Sequence, residues 1–292
     1  MYQIDAFAER PFEGNPAAVC LLSTWLPDPV LVAIAAENNL SETAFVLTDA
    51  EPMQLRWFTP REEVPLCGHA TLAAGYVVLE FVDTEQSRTE FQTRSGSVAV
   101  SRGQDQFELA FPRLRPKGIE PVPAKFQKAI GEEILELLVQ HDDPNYFAIL
   151  RDEDAVRRLL PDLRAVEEFH PYGLAVSAPG DEVDFVSRYF APGYGIPEDP
   201  VTGSIHCALG PYWSARIGRS ELRAVQLSER GGRLGLRIEE NQVLLTGQAA
   251  LYLQGEIRLP SVLGVVPQRT SKSKEPSAVT ASPDAPLVEN RK

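Results

Sequence analysis

Arg56-Trp57-Phe58-Thr59-Pro60, followed after four residues by Pro65, recurs as Arg188-Tyr189-Phe190-Ala191-Pro192, followed after four residues by Pro197. The first copy runs into Leu66-Cys67-Gly68-His69-Ala70-Thr71, and the second into Glu198-Asp199-Pro200-Val201-Thr202-Gly203-Ser204-Ile205-His206. Each copy ends in a glycine that leads into small and apolar residues. Ala70 to Leu79 has almost no polar face, so it reads as a helix buried on all sides. Ser204 to Ile217 reads as its counterpart. Two like halves, each presenting a Gly-led helix start beside polar residues, point to a site between duplicated domains with one set of groups from each side.

A duplicated architecture fits 292 residues, which suffice for two domains of ordinary size with their own cores. An apolar fraction of 43% and a charged fraction of 24% exclude fibrous and disordered classes. No apolar run is long enough to span a bilayer. The start, Met1 to Phe7, lacks the basic and apolar regions of a signal peptide, so a cytoplasmic location is expected. Cys20, Cys67 and Cys207 are too few and too scattered for a disulfide framework and read as reduced thiols. The net charge of −13 argues against nucleic acid and anionic membrane as partners. His69, His141, His170 and His206 show no metal-ligand spacing, so no metal is expected.

Along the first half, Ile4 to Phe7, Ala17 to Leu22, Thr43 to Leu47, Gln54 to Phe58 and Asp105 to Phe111 read as strands. Asp28-Pro29 supplies an N-cap and an N1 proline for a helix that ends near Asn38-Asn39. Prolines at 112, 116, 121 and 123 mark the boundary between domains 1–115 and 116–266. The second half is expected to open with an amphipathic helix, Ala124 to His141. A strand near Tyr146 to Leu150, a short helix around Glu153 to Leu160 and a strand from Asp184 to Tyr189 follow. Ala224 to Leu259 reads as strands, with turns at Gly231-Gly232 and Glu240-Asn241. From 267 to 292 the composition turns to Ser, Pro, Thr, Lys and Glu, and this tail is expected to be disordered.

Several residues could carry chemistry. Glu42 follows a helix end at the start of an apolar strand, where partial burial would raise its pKa towards neutrality and suit it to acid/base work. It could equally be an exposed strand-end carboxylate. His69 and Asp199 follow the two motif copies, so an imidazole from one half could meet a carboxylate from the other. Alternatively, His69 caps its helix and Asp199 turns the chain before Pro200. Ser204 binds substrate, relays a proton or caps its helix. Asn15 either orients substrate or takes a left-handed backbone conformation. Arg230-Gly231-Gly232 reads as a tight hairpin without a catalytic part. Cys67 immediately precedes Gly68, whereas the second half has Pro200 and Val201 rather than a thiol at the comparable place, and Cys207 lies about one turn into the second helix.

Gly14-Asn15-Pro16-Ala17-Ala18-Val19, Asn39-Leu40-Ser41-Glu42-Thr43-Ala44-Phe45, Cys67-Gly68-His69-Ala70-Thr71, Glu198 to Ser204 and Ser228-Glu229-Arg230-Gly231-Gly232 together resemble the PhzF-like phenazine-biosynthesis family. The likeness runs in order from Met1 to about Val265, and the eukaryotic branch looks especially similar. The resemblance implies an α+β diaminopimelate epimerase-like fold of two pseudo-symmetric domains. Each is a curved, mostly antiparallel sheet around a central helix, with the site in the cleft between them. The helix starts at Gly68 and Gly203 would then face each other, and their free N–H groups would hold a small anionic substrate.

The resemblance further implies a cofactor-free isomerase that moves a proton between carbons, with Glu42 as the shuttle and His69 and Asp199 in support. Asn15, Gly68, Gly203 and Ser204 would contact substrate, and a homodimer is expected. The competing readings are a binding or interaction protein without turnover and a two-base amino-acid epimerase using Cys67.

Overall fold

The computed structural model describes residues 1–259, so the tail expected at 267–292 lies outside the described residues. The first copy of the repeat comprises β1 (Tyr2–Ala6), β2 (Asn15–Leu22), α1 (Asp28–Asn38), β3 (Glu42–Leu47), β4 (Met53–Phe58) and β5 (Glu63–Val64). It continues with α2 (Gly68–Val77), β6 (Arg88–Thr93), β7 (Gly96–Arg102) and β8 (Phe107–Pro112). The second comprises β9 (Lys117–Gly118), α3 (Ala124–Ile130), β10 (Glu136–Gln140), β11 (Asn145–Ile149), α4 (Glu153–Arg158), α5 (Leu163–Glu167), β12 (Gly173–Pro179) and β13 (Phe185–Ala191). It ends with β14 (Ile196–Asp199), α6 (Gly203–Ile217), β15 (Glu221–Gln226), β16 (Gly232–Ile238), β17 (Gln242–Gly247) and β18 (Ala249–Gln254).

The duplication read from the motif is written into the strand pairing. β2 and β3 are parallel around α1, as β11 and β12 are around α4 and α5. β3 turns antiparallel onto β4, as β12 does onto β13. β4 and β13 then pair in parallel with β6 and β15, which begin the antiparallel runs β6–β7–β8 and β15–β16–β17. The fold is thus α+β and mostly antiparallel.

The two copies join through two seams. β8 pairs antiparallel with β17, its own counterpart, from Pro112 opposite Gln242 to Phe107 opposite Gly247. At the second seam the closing strand β18 pairs with β1; within the second copy, β9 pairs with β10.

Burial patterns explain the layers. β6, β15 and β16 alternate buried and exposed side chains, the signature of a sheet with one face on the core. In β12 every residue but the last is buried, because helices or loops cover both faces. α2 packs against β1, β2, β3, β7 and β8, and α6 against β15, β16 and β17. These wrapped helices share one apolar core that includes Ala70, Leu72, Ala73, Ile205, Leu209 and Trp213. A second core, around Phe126, Val156, Phe169 and Phe190, fills the space under α3, α4 and α5.

The recurrent motif has a mechanical reason. The Arg56 guanidinium donates to both carboxylate oxygens of Glu63 at 2.8 and 2.6 Å and lies over the Phe58 ring. Arg188 repeats this with Glu198 at 2.7 and 2.9 Å and with the Phe190 ring. Each bidentate clasp ties the strand before the turn to the short strand after it, where geometry, not charge alone, makes the pair worthwhile. The following segment is thereby aimed at the helix start.

Two local expectations differ from the structure. The helix expected over Ala124 to His141 stops at Ile130, where Gly131 takes a left-handed φ of 73°. Leu137, Leu138 and Val139 instead enter β10, since pairing with β11 and β9 outweighs their helical spacing. Asp28 does not cap α1; Pro27 holds the cap position and the Asp28 carboxylate accepts from Arg56. No described helix is long and apolar enough to cross a membrane.

Wrapping a sheet around a helix demands close approach, and each central helix has a glycine at the matching place, Gly75 and Gly210. A Cβ on Gly75 would lie 2.4 Å from the Val100 Cβ, while one on Gly210 would meet only the tips of Leu236 and Ile238, at 2.8 and 2.9 Å. Overpacking against a β-branched stem costs ~1–3 kcal/mol, whereas flexible tips rotate away and a helical Gly→Ala change returns up to ~1 kcal/mol. Urea denaturation is therefore expected to show Gly75→Ala markedly destabilised and Gly210→Ala near neutral.

Candidate active site

The helix starts meet where the two copies face each other. A Cβ on Gly68 would lie 3.7 Å from the Gly203 Cα, and one on Gly203 would lie 3.8 Å from the Gly68 Cα. Neither helix has a side-chain cap on its first turn; the cap positions are Cys67 and Thr202. Two sets of unpaired N–H groups and two positive dipole ends therefore open onto one cleft, an arrangement suited to a carboxylate. The cleft has a volume of about 420 Å³, and Glu42, Cys67, His69, Asp199, Thr202 and Ser204 contribute to its walls.

Asn15 holds the polar groups in place. It opens β2, is fully buried, and its Nδ2 donates to Asp199 Oδ1 and to the Val201 carbonyl, both at 2.9 Å. The same Nδ2 lies 3.2 Å from His69 Nδ1. The sequence suggested that His69 and Asp199 would pair directly, or that Asn15 would take a left-handed conformation. Instead Asn15 stands between them, and the left-handed residue is its neighbour Gly14, at φ 64°.

His69 Nδ1 lies 3.2 Å from Asn15 Nδ2 and 3.6 Å from the Cys67 sulfur, while Nε2 lies 3.3 Å from Glu42 Oε2 and 3.5 Å from the Ser41 hydroxyl. Glu42 Oε2 is buried and has no hydrogen-bond partner among the described residues. Burial pushes the imidazole pKa down to about 3, so it is neutral at pH 7 and the Glu42 contact is not an ion pair.

Glu42 is raised to about 7, chiefly by burial and then by the Asp199 charge, against the lowering effect of Cys67 and Ser41. Asp199 is raised to about 6 by burial, opposed by hydrogen bonds from Thr202 and Asn15. Glu42 is therefore a group that can both take and return a proton near neutrality.

The loop carrying Asp199 and the one carrying Asn15 have their own supports, which the sequence did not disclose. Gln226 donates to the Asp199 carbonyl at 2.8 Å and accepts from the Thr202 N–H at 2.9 Å. Arg230, read from sequence as a hairpin residue alone, donates to the Gly14 and Glu13 carbonyls at 2.8 and 2.9 Å and to the buried Asp5 carboxylate at 2.8 Å. Its neighbour Gly231 accepts from the Gly14 N–H at 2.7 Å. Ser204 is exposed at the start of α6 and lines the cleft.

The cysteines argue against a two-thiol arrangement. The matching cap positions make Thr202, not Pro200 or Val201, the counterpart of Cys67. Cys207 donates to the Gly203 carbonyl within its own helix. Burial pushes both thiols upward, leaving them protonated. Glu42, Cys67 and His69 do bring three potential metal-ligating atoms within 4.8 Å of one another, a grouping that sequence spacing missed because Glu42 is remote in the chain.

Residues 4–255 match the model of the family described as phenazine biosynthesis-like protein. An uncharacterized isomerase of Pseudomonas aeruginosa is 45% identical over 258 residues, covering 88% of this chain and 98% of that protein. The phenazine biosynthesis-like domain-containing protein of Rattus norvegicus is 37% identical, covering 86% and 96%. The bacterial protein is thus the nearer of the two, a correction to the eukaryotic likeness suggested by the motifs. A crystal structure of a PhzF-family protein from Enterococcus faecalis superposes with a TM-score of 0.85 at 43% identity, covering 88% of this chain and 98% of that one.

Two predictions follow from the electrostatics and the loop supports. The Glu42 carboxyl binds its proton more tightly folded than unfolded, where 4.5 is its ordinary value. Its contribution to stability is full below pH 4.5 and is lost as pH rises through about 7. At ~1.4 kcal/mol per pKa unit, Glu42→Gln is expected to be more stable than the parent by a few kcal/mol at pH 8 and about equal at pH 4; melting temperatures across that range would show a constant difference if the carboxyl were unperturbed. Arg230→Met strands the buried Asp5 carboxylate and is expected to cost about 3 kcal/mol in urea denaturation.

Proposed function

The chain belongs to the phenazine biosynthesis-like family, and from that premise we propose that it is a cofactor-independent isomerase moving a proton between carbons of a small carboxylate. The observation that carries this reading is a single carboxyl, Glu42, raised to about 7 beside two uncapped helix starts. The relatives named isomerases support the reaction class.

The substrate carboxylate lies against the N–H groups at Gly68 and Gly203, which fixes the neighbouring carbon above Glu42. The ionised Glu42 removes a proton from that carbon. The electron pair spreads through a carbon–carbon double bond next to that carbon, and the helix N–H groups and dipoles stabilise the share of charge that reaches the substrate carboxylate. Glu42, now protonated, returns the proton to the far carbon of that double bond, which shifts by one position, and is restored as a carboxylate. His69 Nε2 lies 3.3 Å from Glu42 Oε2, an oxygen without a hydrogen-bond partner among the described residues, and is placed to donate to it while the other oxygen carries the proton. Asn15 positions both His69 and Asp199. The Asp199 charge favours the protonated form of Glu42, easing proton uptake and opposing over-stabilisation of the anion. Ser204 offers a hydroxyl to the bound substrate.

General acid–base catalysis by one positioned group contributes roughly 10²–10⁴ in rate. In heavy water, with a panel of small cyclic and amino carboxylates, the parent is expected to wash deuterium into the substrate. Glu42→Gln is expected to lose the exchange by at least about 10² while keeping its fold and its ligand-induced stabilisation. Exchange by the variant at the parental rate would remove Glu42 from the mechanism. Stabilisation of both proteins by a ligand that neither exchanges would indicate a binding role.

A further inference from the structure

At each helix start the first N–H group must be held towards the cleft, although its immediate surroundings offer little to hold it. Cys67 and Thr202 make no side-chain cap, and the residues that follow them, Gly68 and Gly203, have no Cβ to restrict the backbone. A peptide bond is planar and trans, so the Cys67 carbonyl and the Gly68 N–H form one rigid unit and point in opposite directions. The Thr202 carbonyl and the Gly203 N–H are related in the same way. Fixing the carbonyl on the buried side therefore fixes the N–H on the cleft side.

Both carbonyls are held by side chains at the same register. Thr71, fully buried three residues after Gly68, donates its hydroxyl to the Cys67 carbonyl at 2.5 Å, beside its own N–H at 3.0 Å. His206, fully buried three residues after Gly203, places Nδ1 2.7 Å from the Thr202 carbonyl. A carbonyl oxygen only accepts, so Nδ1 carries the proton and Nε2 accepts from the Ser187 hydroxyl at 3.2 Å. Burial lowers the His206 pKa to about 4, which keeps the ring neutral at pH 7. Ser187 lies in β13 between Ser177 of β12 and Gln226 of β15, so the hold on Thr202 is anchored in the sheet.

A threonine hydroxyl bonded to the carbonyl four residues back is a common helix feature. The matching bond from an imidazole is not, and it shows a different side chain meeting the same need in the second copy. We infer that Thr71 and His206 are positioning residues, equivalent in the two copies, which lock the cap peptides so that the Gly68 and Gly203 N–H groups stay aimed at a bound carboxylate. The N–H groups are then ordered by folding rather than by the ligand, which removes an ordering cost from binding. This rests on the proposed carboxylate site at the helix starts and is independent of proton transfer at Glu42.

Two substitutions at Thr71 separate packing from the hydrogen bond. Thr71→Val keeps the volume and removes the donor, whereas Thr71→Ser keeps the donor and removes a buried methyl group. Thr71→Ser is expected to melt lower than Thr71→Val and yet to bind cyclohexanecarboxylate, measured by calorimetry, with an affinity near that of the parent. Thr71→Val is expected to bind it at least about fivefold more weakly, or ~1 kcal/mol. His206→Asn, which can present an amide N–H where Nδ1–H stands, is expected to bind more tightly than His206→Leu. Parental affinity in Thr71→Val, or affinities that follow the melting temperatures, would overturn the assignment. So would a parent that does not bind cyclohexanecarboxylate at millimolar concentration. The expected order of affinities without deuterium exchange on any candidate would sink the isomerase reading alone, while exchange by the parent together with unaltered binding in Thr71→Val would sink the positioning role alone.

Discussion

Everything at the cleft depends on two helices being allowed to start almost in contact. Glycine at 68 and 203 lets the backbones of α2 and α6 approach to within a methyl group of each other. Like dipole ends repel, and unpaired N–H groups of both helices converge, so the junction is unfavourable without an anion nearby. The surrounding structure compensates by enclosing it: apolar side chains of both copies form one core behind the junction. Seams of hydrogen-bonded strands, β8 with β17 and β1 with β18, hold the halves from either side. The arginine clasps at Glu63 and Glu198 then aim the chain into each helix start.

The frame is duplicated but its chemistry is not. Cys67 stands opposite Thr202, and His69 opposite Ser204, at the starts of the two helices. Val64 and Asp199 occupy matching places opposite Trp57 and Tyr189. Thr43 opposite Phe58 matches Leu174 opposite Phe190, so Glu42, one residue before Thr43, has only Gly173 as its counterpart. A symmetric scaffold therefore presents an imidazole, a thiol and a raised carboxyl from one copy and hydroxyls and a second carboxyl from the other. Asn15 crosses between them with one amide nitrogen.

The sequence made the duplication, the two buried helices and the Glu42, His69 and Asp199 set legible because these sit in local strings with strong signals: a repeated spacing, glycine before an apolar run, a carboxyl beside buried strand residues. What it hid was long-range. Nothing near Asn15 announces that its partners are 54 and 184 residues away. Arg230 looked like turn chemistry because its partners, Asp5, Glu13 and Gly14, lie at the other end of the chain. The overextended helix after Ala124 failed for a related reason. Leu137 to Val139 fit a helical period, but the strands waiting on both sides, at β9 and β11, decided the outcome.

The pairing of β1 with β18 also bears on how the protein is made. β1 is covered on one edge by β2 soon after synthesis, but its other edge waits for residues 249–254, and the Met1 amino group finally meets the Gly255 carbonyl at 2.9 Å. β8 likewise waits for β17. A ribosome that has released only the first copy therefore exposes a half-finished sheet with two unpaired strand edges, a state prone to joining its like. Slow translation through the second copy would lengthen that window.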